Sequence, residues 1–100
     1  MSAGEPKLSR RDAMTADIKE LIRVLMRVLD GGEVAREEIA DLAFEAEDEA
    51  LTASLNGAYI ALLEFAHDRD LRRRDRARDA AMRRQLQDCL DDIVRRCDAP

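Results

Sequence analysis

Aromatic side chains are scarce in this chain of 100 residues: Phe44, Tyr59 and Phe65 are the only three, and tryptophan is absent. That works against base stacking, on which single-stranded nucleic-acid sites depend. Histidine occurs once, at His67, whereas a nucleophilic triad needs a base beside its nucleophile and a third group to orient that base. The hydroxyls Ser9, Thr15, Thr52 and Ser54 fall on helix starts or alanine-rich faces, so an enzyme is not expected. Cysteine occurs twice, at Cys89 and Cys97. On one helix that spacing puts their Cα atoms roughly 12 Å apart, at about 1.5 Å per residue, beyond disulfide reach. Two free thiols and a reducing cytoplasm are expected. Long apolar runs are missing too. The longest, residues 57–66, is interrupted by Glu64 and is too short to span a bilayer, and the N-terminus lacks the apolar region of a signal peptide. No strand-like alternation, internal repeat or low-complexity linker is present.

What the chain does have is alanine and charge. Apolar residues make up 46%, but 16 of them are alanine, and 39% of all residues are charged. Such a core is thin, and a domain of this length buries only about two-thirds of the surface its unfolded chain exposes, so oligomerisation is a natural supplement. The charge is segregated. Residues 33–49 carry eight carboxylates against Arg36, and residues 69–84 carry eight arginines against Asp70, Asp75 and Asp79. Blocks like these can pair within a bundle, pair across a dimer or recognise a charged partner. The net charge of −5 suits a basic partner better than nucleic acid or an anionic membrane.

The periodicity predicts an all-α fold: an antiparallel three-helix bundle, with a four-helix alternative if the chain breaks at Asn56-Gly57, forming a helical dimer. Residues 1–8 read as a flexible tail, 9–97 as one helical domain and 98–100 as a short C-terminal tail. Ser9 is placed to cap a first helix, with Leu8 and Ala13 as a hydrophobic staple. Met14, Ile18, Leu21, Ile22, Leu25, Val28 and Leu29 recur at helical spacing, and Gly31-Gly32 ends the run. A second helix is expected from near Val34 to about Ala66. Its bulky seam is Leu51, Leu55, Ala58, Leu62 and Phe65, and its small seam, Ala46, Ala50, Ala53, Gly57 and Ala61, gives Gly57 a packing role. After a lapse at His67–Asp70, a third helix should run to about Cys97, with Met82, Leu86, Cys89, Leu90, Ile93 and Val94 as its apolar stripe.

Three constellations could carry function. The arginine stretch resembles a phosphate-binding surface. However, Asp68, Asp70 and Asp79 precede Arg72, Arg74 and Arg83 by four, the favourable order for self-paired helix charges, so direct nucleic-acid binding is not expected. Glu64 and His67 have the Glu-x-x-His spacing of di-iron bundles, an outsider reading as a metal-binding helical dimer that would need further carboxylates; no cofactor is otherwise implied. Glu37, Glu38, Asp41, Glu45 and Asp48 form an acidic helix face suited to docking a basic protein, with charge setting rate and selectivity. The stretch Leu29-Asp-Gly-Gly-Glu-Val-Ala-Arg-Glu-Glu-Ile39, about a tenth of the chain, resembles a helix junction of small bacterial immunity proteins, though any helix–Gly–helix join produces the same pattern.

The expectation is a cytoplasmic bacterial protein with no membrane partner, acting as a non-enzymatic protein-interaction or regulatory module and as a homodimer. The alternative is an immunity or antitoxin-type protein that binds a basic partner through the acidic helix. The expected dimer contact is Leu55, Tyr59, Ile60, Leu62, Leu63 and Phe65. A first helix ending at Asp30 and packed antiparallel on the second would cover it only to about Ser54, leaving an all-round apolar segment beyond.

Overall fold

The computed structural model describes the backbone of residues 5–44, 46 and 48–98, and the side chains of residues 16–44, 46 and 48–97. Five helices follow one another: α1 (Glu5–Leu29), α2 (Arg36–Ile39), α3 (Glu49–His67), α4 (Arg69–Arg74) and α5 (Arg76–Asp98), with no strand among the described residues. α1 starts at Glu5 rather than after Ser9, so part of the expected tail is helical. Pro6 in its first turn fits, because the N–H it lacks has no helical partner there anyway. Ser9 therefore lies inside the helix and is not its N-cap, while residues 1–4 and the side chains of the expected Leu8–Ala13 staple lie outside what is described.

Gly31-Gly32 ends α1 as the sequence implies. Gly31 sits at φ 99°, its N–H bonds to the Val28 carbonyl at 3.1 Å, and the Gly32 N–H reaches back to Arg27 at 2.9 Å. Together these form a Schellman motif, which satisfies carbonyls that the helix end would otherwise orphan.

The second expected helix is not continuous. Its interruption lies between Ala40 and Asp48, whereas α3 runs straight through Asn56-Gly57. Helix across 33–49 would stack Glu37 on Asp41 and Asp41 on Glu45 at i,i+4, each like-charge pair costing a few tenths of a kcal/mol. Instead Asp48 caps α3, accepting from the Ala50 N–H at 2.9 Å. The non-helical backbone finds partners in the side chains of α1 and α3. Asp17 accepts from the Ala43 N–H at 3.3 Å, Thr52 bonds both N–H and carbonyl of Ala46 at 3.2 Å, and the Tyr59 hydroxyl donates to the Ala40 carbonyl at 3.5 Å. Phe44 rests edge-on against Tyr59, centroids 6.2 Å apart. The third expected helix is also split. Asp75 closes α4 and caps α5, accepting from the Arg78 N–H at 3.1 Å.

These contacts fix the topology. Val28 meets Arg83 and Met26 shares a groove with Gln87 and Leu90, so α1 and α5 are antiparallel. Ser54 meets Asp92 and Phe65 lies under Arg83, so α3 and α5 are antiparallel too, which makes α1 and α3 parallel. The expected antiparallel pairing of the first two long helices is therefore replaced by a crossover. The chain returns from Gly32 to Ala46 between them, touching α1 through Arg27–Glu38 and α3 through Tyr59–Ala40. Long crossovers of this kind are an established way to connect bundle helices. The core is Leu21, Val24, Leu25 and Val28 of α1, Val34 and Ile39 of the crossover, Leu55, Ala58, Leu62 and Phe65 of α3, and Leu86 and Ile93 of α5. The bulky seam on α3 is thus the core-facing one. No helix among the described residues is long and apolar enough to cross a membrane.

Candidate functional site

The most concentrated polar cluster sits where α1 ends, α3 ends and α5 begins. Arg72 of α4 is only 3% exposed. Its Nε donates to the Phe65 carbonyl at 3.0 Å, and its terminal nitrogens donate to Glu33 Oε1 and Asp79 Oδ1, each at 2.8 Å. Arg83 donates to Asp79 Oδ2 at 2.8 Å, Glu33 Oε2 at 3.1 Å, and the carbonyls of Gly32, at 3.1 Å, and Val28. Two guanidiniums and two carboxylates balance, and the Phe65 ring forms the floor beneath both arginines. The hydrogen bond from Arg72 holds Glu33 below the usual carboxylate pKa, and that from Arg83 does the same for Asp79. Burial opposes the Arg72 charge, but the bonds to Glu33 and Asp79 outweigh it and raise its pKa. Among the described residues no buried polar side-chain atom lacks a partner. With every group engaged within the chain, the cluster acts as a clamp joining α1, the crossover, α3, α4 and α5.

Local pairing of the arginine block is therefore only partly as the spacing implied. Asp79–Arg83 forms, but Arg72 turns away from Asp68 to Glu33 and Asp79, and Asp68 takes Arg78 instead at 2.6 Å. Arg69, Arg73, Arg74, Arg76 and Arg84 make no ion pair among the described residues and are exposed. The sequence gives no local sign of the Arg72–Glu33 contact, because 39 positions separate the pair.

The expected acidic face does not exist as one helical surface. Glu37 and Glu38 lie on the single turn of α2, Asp41 follows it in the turn, Asp48 caps α3, and Glu45 lies outside the described residues. Glu38 is committed to the Ala35 N–H at 3.0 Å and to Arg27 at 2.7 Å. Glu37, Asp41 and Asp48 are exposed.

The expected dimer residues separate in the same way. Leu55, Leu62 and Phe65 are fully buried in the chain's own core, because the crossover and α5 cover the segment that a short antiparallel first helix would have left bare. Tyr59 and Leu63 are half-buried, and only Ile60, at 55%, is truly exposed. Gly57 also differs from expectation: a Cβ built there meets nothing within 4 Å, so Gly57 does not pack inside the chain, although Ala61 of the same seam is buried in the core.

Glu64 and His67 are exposed and line an open groove of about 820 Å³ with Arg36, Leu63, Asp68, Arg78 and Met82. No group of three or more His, Cys, Asp or Glu placed to hold a metal occurs among the described residues. Cys89 and Cys97 both lie on α5, Cys89 half-buried and Cys97 exposed. Compared with known proteins, the chain matches no family model, no curated protein and no solved structure.

Proposed function

We propose that this chain is a non-enzymatic protein-interaction module that works as a homodimer and docks a charged partner protein. The observation that carries this reading is how the charges divide. Those able to do chemistry close to one another, Arg72, Arg83, Glu33 and Asp79, are saturated within the fold. Arg69, Arg73, Arg74, Arg76 and Arg84 project into solvent at one end. These arginines outnumber the exposed Asp70 and Asp75 among them; a net charge of one sign speeds and orients association with a surface of the other sign, and this net-basic end fits an acidic protein surface. A second reading, the immunity-type protein with a basic partner, draws on the exposed Glu37, Asp41 and Asp48.

Affinity capture from the native host, run with the wild type, an Arg73→Glu/Arg74→Glu/Arg76→Glu variant and a Glu37→Lys/Asp41→Lys variant, tests both. A partner lost with the arginine variant and retained with the other supports the first reading, and the reverse supports the second. A partner insensitive to both overturns charge-led docking.

A further inference from the structure

We draw no further inference here: the strongest candidate, the open groove lined by Arg36 of α2, Leu63, Glu64 and His67 of α3 and Met82 of α5, carries nothing, because its exposed charges are of both signs and nothing in the structure shows what covers it.

Discussion

The guanidinium carbon of Arg72 lies 3.3 Å from the centroid of the Phe65 ring, while its Nε donates to the carbonyl of that same residue. Arg72 therefore holds the end of α3 by both side chain and backbone, and its remaining nitrogens hold Glu33 and Asp79. Arginine suits this position because it presents a planar fork that can stack and bond at once, which a lysine ammonium cannot do.

Arg72→Ala should therefore destabilise the fold by about 2–4 kcal/mol. That overlaps the lower part of the range for breaking a buried pair and extends below it, since Arg83 still reaches Glu33 and Asp79 and both carboxylates keep some solvent. Arg72→Lys should recover less than half of the loss. Urea unfolding monitored by circular dichroism measures both. An alanine variant within about 0.5 kcal/mol of wild type, the usual scale for a surface site, would show that the cluster is not a clamp.

The glycines after α1 differ in what they tolerate. Gly31 occupies the left-handed region with open space around it, so Gly31→Ala should cost about 1 kcal/mol of backbone strain. A Cβ on Gly32 would lie 2.8 Å from the Arg27 carbonyl oxygen, which is the acceptor of its own N–H. Gly32→Ala must therefore disturb the Schellman bond and the Arg83 contact beside it, and should cost more than Gly31→Ala. Thermal melts of the two variants rank them, and the reverse order would contradict the motif.

The helical phase of α1, the core seam of α3 and the Gly31-Gly32 stop were legible because each is written in consecutive residues. The crossover was not. Acidic residues between Glu33 and Glu49 pass for a helix surface, and only Asp17, Thr52 and Tyr59, supplied from elsewhere in the chain, make the non-helical path affordable. That error propagated. Antiparallel packing of the first two long helices would leave Leu55, Leu62 and Phe65 bare, whereas the crossover and α5 bury them. The clamp was hidden for a related reason: Arg72 and Glu33 meet only because α1 and α3 are parallel and both end at α4.

The two thiols on α5 should react at different rates. Burial, together with Asp88 and Asp92, pushes the Cys89 thiol up, whereas Cys97 is exposed. Since the thiolate is the reactive form, a thiol reagent at neutral pH should modify Cys97 first, with Cys89 slower by about tenfold or more. Time courses on Cys89→Ser and Cys97→Ser variants separate the two. Equal rates would mean that α5 does not pack as described.

Acid should unfold this protein through its carboxylates. Ser54, then Arg95 and Arg96, donate to Asp92 and hold its pKa down to about 2, and Glu33, Glu38 and Asp79 are lowered as well. A group whose folded pKa lies below its unfolded value stabilises fully above the unfolded value, and that contribution is lost as pH falls through the folded one. The melting temperature should therefore hold steady from pH 7 to about pH 5 and fall below about pH 4, where unfolded carboxylates begin to bind protons. Glu33 adds a further penalty, because protonating it removes one of the two counter-charges of the buried Arg72. Glu33→Gln should be less stable than wild type at pH 7, and its melting temperature should decline less steeply between about pH 4 and pH 3, since one of the titrating groups of that range is gone. A wild-type melting temperature that stays level down to about pH 3 would mean that these carboxylates are not held as the geometry requires.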